Sequence, residues 1–420
     1  MDSQKSNGNF LPMLIIGALF FIFGFVTWLN GILIPYFKIS CELTDFEATL
    51  VAFAFYISYT VMALPASWVL IRTGFHKGMT VGLLVMAIGT LVFVPAALSR
   101  AYWMFLSGLF IMGAGLAVLQ TAANPYITII GPRESAARRI SIMGICNKLA
   151  GAIAPLILAY YILNDGDAFV KSLEGMDSIA RAAALDSLAH RVIGPYLVMT
   201  SILVFLGIAV RYAPLPDVET EDDADIASDD LTGKTSIFQF PQLILGAVAL
   251  FFYVGVEVIA GDTIIRYGIS QDFKIETAKL FTSYTLIAMI IGYLAGIVLI
   301  PKVISQRVAL IGSALLGILL SVIVVLGAPT YSILALALLG LANALVWPAI
   351  WPLAIHDLGK FIKTGSAVLI MAIAGGAILP LFWGHLSDSY SPQMAYIILI
   401  PSYFVILYYA VRGYKLRSWK

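Results

Sequence analysis

The chain has 420 residues, 60% hydrophobic and 12% charged, with a formal net charge of +1. Soluble domains carry roughly a quarter charged residues, so this balance excludes an ordinary soluble protein. The near-neutral charge gives no footing for nucleic acid or for a strongly acidic partner.

Apolar stretches of about 20 residues, the length that crosses a bilayer, recur from Leu11 to Val411. The first, 11–37, keeps Asn30 within it and has no small-residue cleavage site, so it is expected to remain as a span. Spans two to six are predicted at 46–72, 78–98, 102–130, 140–163 and 193–213. Between the fifth and sixth, 164–192 reads as an external loop with a helix from Ser178 to His190. After the sixth, 214–239 forms a linker carrying Asp217, Glu219, Glu221, Asp222, Asp223, Asp225, Asp229 and Asp230, whose like charges favour a solvated chain over a packed one. Spans seven to twelve follow at 240–268, 278–300, 308–327, 331–357, 364–387 and 393–411. Cys41 and Cys146 lie on different segments and are expected to stay unpaired as packing residues.

The expected fold is therefore an all-α membrane protein of about twelve transmembrane helices. The linker divides it into an N-terminal half, 1–213, and a C-terminal half, 240–420. An even count puts both termini on one side. Placing that side in the cytoplasm puts Lys5, Arg72, Lys77, Arg133, Arg138, Arg139, Arg211, Lys234, Lys302, Arg307, Lys360, Lys363, Arg412, Lys415, Arg417 and Lys420 inside, while the outer segments hold about half as many basic residues, which is the positive-inside bias.

The halves echo one another. Gly113 and Pro125 of span four match Gly340 and Pro352 of span ten at one offset, and Gly24, Ile34 and Tyr36 of span one match Gly255, Ile265 and Tyr267 of span seven. Span five carries Gly151-Ala152-Ile153-Ala154-Pro155 and span eleven Gly376-Ala377-Ile378-Leu379-Pro380. Corresponding breaks in corresponding helices point to a transporter with its site between the repeats, so two pseudo-symmetric six-helix bundles around a central cavity are expected.

Three ionisable residues fall deep in predicted spans: Lys148, Glu257 and Asp262. A charge there costs at least about 2.5–3.5 kcal/mol, so each is expected to face a cavity or a partner. Lys148 is flanked by Gly144 and Gly151 on its own helical face, and pairing with either span-seven acid across the half interface stays open. Glu257 and Asp262 lie about 140° apart on a straight helix. If Gly255 and Gly261 unwind it, carboxylate and carbonyl oxygens would converge near Glu257 and Asp262 as a sodium ion requires; a single desolvated carboxylate suits a proton instead.

Amides form a second group. Gln120 and Asn124 share one face of span four ahead of Pro125, Asn30 lies in span one, Asn147 in span five and Asn343 in span ten. Amides both donate and accept hydrogen bonds, which suits a hydroxylated neutral ligand. At the repeat offset Gln120 and Asn124 fall on Trp347 and Trp351, so hydrogen-bonding amides would oppose flat indoles able to cover the apolar face of a sugar ring. The four histidines and two cysteines form no metal spacing, and no phosphate-cradling loop or nucleophile motif is present. No enzyme, no cofactor and no firm metal site is expected.

Phe23-Gly24-Phe25-Val26-Thr27-Trp28-Leu29-Asn30-Gly31-Ile32-Leu33-Ile34-Pro35-Tyr36 and Gln120-Thr121-Ala122-Ala123-Asn124-Pro125-Tyr126 resemble the fucose:proton symporter family of the major facilitator superfamily, particularly its glucose/galactose and N-acetylhexosamine branch. The resemblance implies the major facilitator fold and alternating access, with one sugar near the midplane. The family's fucose transporter looks as if it has acids at the positions of Gly31 and Gln120; this chain has neither, while Asp262 is the repeat counterpart of Gly31. The run Gly255-Val256-Glu257-Val258-Ile259-Ala260-Gly261-Asp262 is similar to the hexose branch. The expectation is cation-coupled symport of a neutral hexose by a monomer in a bacterial inner membrane, surrounded by lipid. An uncoupled facilitator and a transporter-derived sugar sensor are the alternatives.

Overall fold

The computed structural model describes residues 10–43, 45–162, 166–215, 234–273, 277 and 280–419, and the acids predicted for the linker lie outside them. Every regular element among the described residues is helical. Ten helical stretches are long and apolar enough to cross a membrane, and one of them, Leu50–Ser99, is 50 residues long. At 1.5 Å per residue such a stretch reaches about 75 Å, more than twice the hydrocarbon thickness, so it makes two crossings. Gly74, at φ 73°, separates them as spans two and three within Asp45–Ser99. With Ala136–Ile162 as span five, the described residues make twelve spans, as predicted.

Span one is Phe10–Trp28 and Asn30–Ser40, span four Tyr102–Ile129, span six Ile193–Tyr212, span eight Phe281–Leu299 and span nine Gln306–Leu326. Spans seven and ten, each expected as one helix, are broken: seven into Pro241–Asp262 and Ile264–Ser270, ten into Pro329–Ala344 and Val346–Ala354. The causes are local. Thr263 turns its hydroxyl onto the Ile259 carbonyl at 2.6 Å, the carbonyl its own N–H also uses, and this competition disturbs the helix. In span ten Pro348 has no N–H to offer the Ala344 carbonyl, so the helix restarts at Val346. Span eleven comprises Ile362–Met371, the 3-10 turn Ala372–Ala374 and Gly375–Ser389; span twelve ends in Leu399–Val411.

The sequence echoes turn out to be close helix contacts. Span four packs on span two through Gly113, where a Cβ would lie 2.0 Å from Ser58 Oγ and 2.6 Å from the Phe55 carbonyl oxygen. The counterpart Gly340 sets span ten on span eight, where a Cβ would lie 2.1 Å from the Thr285 carbonyl oxygen. Backbone on the other side leaves no side chain to move. Gly340→Val is therefore expected to cost about 1–3 kcal/mol or more through overpacking, read as a lower Tm and less monodisperse protein in detergent; an unchanged Tm would contradict the contact.

The tyrosines matched between repeats also have matching roles. Tyr36 Oη donates to the carbonyls of Leu188 and Ala189 at 3.0 and 2.9 Å, tying the C-terminal part of span one to the helix Ser178–His190. That helix lies where the sequence placed it, capped by Asp177, whose carboxylate accepts from the Ala180 N–H at 2.8 Å. Tyr267 Oη shares a 2.7 Å hydrogen bond with Ser332 Oγ, holding the C-terminal part of span seven against span ten. Cys41 and Cys146 are free thiols.

Contacts between the bundles join span five to span eight, and span eleven to spans two to four. Gly144 of span five brings the Tyr293 ring of span eight so close that a Cβ would lie 2.6 Å from it. These contacts leave a space along the central axis.

Candidate binding site between the two bundles

A cavity of about 150 Å³ lies on that axis, lined by residues of both bundles. It has the room of an engineered cavity that takes benzene, so one six-membered ring fits it. Gln120, Asn124, Asn147, Lys148, Glu257, Asp262 and Trp347 all line it. The side chain of Asn30 lies outside the described residues.

The deep charges converge here. Lys148 Nζ forms an ion pair with Glu257 Oε1 across the bundle interface, with 7% and 14% of the two side chains exposed. Lys148 also stands over the Trp28 ring, 5.0 Å from its centroid, a cation–π contact that helps hold an ammonium away from water. Of the two partners left open by the sequence, Glu257 is the one Lys148 meets. Asp262 lines the same cavity, with more than a third of its surface open, and the structure shows no hydrogen bond or ion pair on its carboxylate. One ammonium and two carboxylates therefore face a single cavity, and their formal sum is one negative charge.

The unwinding at Gly255 and Gly261 that converging carboxylate and carbonyl oxygens would need is not found; span seven breaks only beyond them, at Thr263. Pro241–Asp262 is continuous helix through Gly255 and Gly261, and the Gly261 carbonyl already accepts from Thr282 Oγ1 at 2.8 Å. No group of three or more potential metal-binding side chains occurs among the described residues.

The amides are held in defined orientations. Asn124 Nδ2 donates to the Gln120 carbonyl at 2.9 Å, which turns Asn124 Oδ1 toward the opposite bundle, where Trp347 Nε1 donates to it at 3.4 Å. Gln120 Nε2 donates to Tyr59 Oη at 3.3 Å, and Asn147 Nδ2 to the Phe20 carbonyl at 3.4 Å. These are long bonds that a ligand hydroxyl can displace.

Asn343 and Trp351 do not line the cavity. Asn343 is fully buried and accepts from Tyr403 Oη at 2.7 Å. The break at Leu345 separates its segment from that of Trp347, so the one-turn spacing does not carry both to one face. Trp351 is fully buried behind Trp347, their rings stacked with centroids 5.3 Å apart. It supports the indole that faces the cavity.

Sequence reasoning missed the aromatic wall. Tyr56, Tyr59, Tyr253, Tyr293, Trp28, Phe20 and Phe23 also line the cavity. Tyr253 was accessible to helical periodicity, since it lies four residues before Glu257 on the same face. Tyr293 carried no such signal beyond the small partner Gly144. Arg139, counted only as a loop charge, is buried and closes the end of span four, donating to the carbonyls of Ile127, Thr128 and Pro132 at 2.9, 2.6 and 2.9 Å. A cation there satisfies helix-end carbonyls that would otherwise stay unpaired.

Residues 16–372 match the Major Facilitator Superfamily. The chain belongs to that superfamily. It is 34% identical over 421 residues to a glucose/galactose transporter of Brucella abortus biovar 1 (strain 9-941), covering 99% of this chain and 96% of the relative. It is 29% identical over 393 residues to an L-fucose-proton symporter of Escherichia coli (strain K12), covering 92% and 89%. Among solved structures it matches the major facilitator transporter FucP in the outward conformation with a TM-score of 0.84 and 27% identity, over 98% of this chain and 99% of that one. Major facilitator relatives of this kind are transporters, and this chain is an integral membrane transporter, not an enzyme.

Proposed function

We propose that the chain imports a neutral hexose together with a proton, by alternating access of the halves 1–213 and 240–420. The observation that carries this reading is the cavity's composition: one ion pair, one further carboxylate and a set of oriented amides around a space for one ring. Asn30, Gln120, Asn124 and Asn147 bond hydroxyls, while Trp347, backed by Trp351, covers the ring; Asn343 supports the span-ten segment beside them. Asp262 takes the coupled proton, and the Lys148–Glu257 pair joins the halves. A monovalent cation bound at Asp262 brings the cavity's formal charge to zero, which lowers the cost of closing it off from water as the halves rock around it. We favour a proton over sodium, because span seven is helical up to Asp262, the Gly261 carbonyl already accepts from Thr282, and no cluster of three metal-binding side chains occurs among the described residues. Relatives named glucose/galactose transporter and L-fucose-proton symporter support both parts of the reading. We place the protein in a bacterial inner membrane with both termini cytoplasmic, working as a monomer among lipids.

The test is uptake of labelled D-glucose, D-galactose and N-acetyl-D-glucosamine into proteoliposomes. Accumulation above the outside concentration under an inward proton gradient, abolished by collapsing the gradient and indifferent to sodium, is expected for at least one sugar. Saturable entry that only equilibrates would select the uncoupled facilitator, with Lys148–Glu257 as a structural lock. No entry of any hexose would remove the sugar reading.

A further inference from the structure

We infer that the hydrogen bond between Asn124 and Trp347 is a latch on the terminus side of the cavity, released when a ligand hydroxyl takes the Asn124 oxygen. The release step rests on the reading of the cavity as a sugar site; the latch itself rests on geometry alone.

Three polar contacts cross between the bundles among those the structure shows, and they are ordered along the axis. Lys148–Glu257 stands at mid-depth, Trp347 Nε1 to Asn124 Oδ1 below it, and Gln306 Nε2 to the Glu134 carbonyl, at 3.1 Å, near the end that carries the termini. Below the Asn124–Trp347 contact lies a second, larger cavity of about 1010 Å³, lined by Thr128 and Gly131 of one bundle and Leu353 and His356 of the other. Part of the barrier between the two spaces is apolar: Leu345 packs with Ala137, Ile300 and Ala309 across the bundles. A ligand leaving toward the terminus end must therefore part Asn124 from Trp347.

Three features make this contact suited to release. Asn124 is fixed by its own 2.9 Å bond to the Gln120 carbonyl, so its oxygen stays aimed across the interface. The bond to Trp347 is 3.4 Å, longer than the 2.9–3.0 Å typical of N–H···O, whereas a hydroxyl can approach more closely. Trp347 sits on Val346–Ala354, a segment set off by the break at Leu345, so it can part from Asn124 without carrying all of span ten. A hydroxyl that bonds Asn124 Oδ1 only when the indole N–H has parted from it, the ring itself staying over the sugar, binds the released state more tightly. That difference is what shifts the population.

Spin labels at Lys77→Cys and Lys302→Cys, both exposed at the terminus end of opposite bundles, report the opening in a Cys41→Ser/Cys146→Ser background. Pulsed EPR of the purified full-length protein without sugar is expected to show one dominant distance. Trp347→Phe, which keeps a ring and removes the donor, and Asn124→Ala, which removes the acceptor, should each raise the longer-to-shorter population ratio about three- to tenfold, the effect of one neutral hydrogen bond. The double variant should add nothing, because both changes remove the same contact. Single variants with unchanged distances, or effects that multiply in the double variant, would overturn the latch. Addition of D-glucose or D-galactose should raise the ratio in the parent and change it less in Trp347→Phe. If the variants shift the ratio while neither hexose moves the parent, the sugar reading and the release step fail together, and the latch stands.

Discussion

Asp262→Asn is expected to abolish accumulation while leaving exchange of internal for external sugar. Asp262 is the one deep acid that the structure shows without an ion pair or hydrogen bond, and it opens into the cavity shared with Lys148 and Glu257. With one proton per sugar, a gradient of one pH unit supplies about 1.4 kcal/mol and so sustains about tenfold accumulation; the variant should stop at the outside concentration. Asparagine keeps the size and hydrogen-bonding shape of the side chain but no longer takes and gives a proton. The variant cavity is formally neutral without a coupled ion, so both loaded and exchanging states can still cross. Counterflow in proteoliposomes separates the two effects. Tenfold accumulation by Asp262→Asn would remove this residue from coupling, and loss of counterflow with loss of uptake would mark it as part of sugar binding.

The second large effect concerns Lys148. Removing one member of a buried ion pair typically costs about 3–5 kcal/mol because the other charge is left without compensation. The two single variants should not be equal. Lys148→Met strands Glu257 and leaves two carboxylates of span seven on one cavity with no cation, whereas Glu257→Gln leaves Lys148 within electrostatic reach of Asp262. Lys148→Met is therefore expected to lower Tm by far the more, and Lys148→Met/Glu257→Gln to recover most of that loss. Glu257→Gln should keep its fold yet lose coupling, since Asp262 would then be engaged by the lysine. Thermal unfolding of the purified variants, with uptake measured on those that fold, checks both parts. Equal losses in the two singles, or a double variant as unstable as their sum, would show that the three charges do not act together.

Much of the architecture was legible before any coordinates. Apolar stretches of bilayer length located all twelve spans, because every backbone group in hydrocarbon must be paired within its own helix and the side chains outside must be apolar. Repeat echoes were legible for a similar reason: Gly113 and Gly340 occur where helices approach backbone to backbone, and only glycine permits it. The helix Ser178–His190 between spans five and six also stood where its composition placed it. The breaks at Thr263 and Leu345 were not foreseen, although Pro348 was visible, because proline within a membrane helix is commonly tolerated.

Within the cavity, residue chemistry identified the deep lysine, the two acids, and the amides of span four opposite the indoles of span ten. It could not separate Trp347 from Trp351, which share a helix face by spacing; which indole meets the cavity depends on how far each lies from the opposing bundle. Nor could it choose between Glu257 and Asp262 as the partner of Lys148, since that choice depends on the rotation of span seven against span five. Sequence by itself determined a two-bundle membrane transporter with rare charges that the bilayer forces inward, because the cost of hydrocarbon acts on each segment independently. Tertiary structure alone decided which acid is paired and which is open, and which indole touches Asn124, because those are properties of distances between helices that no single helix contains.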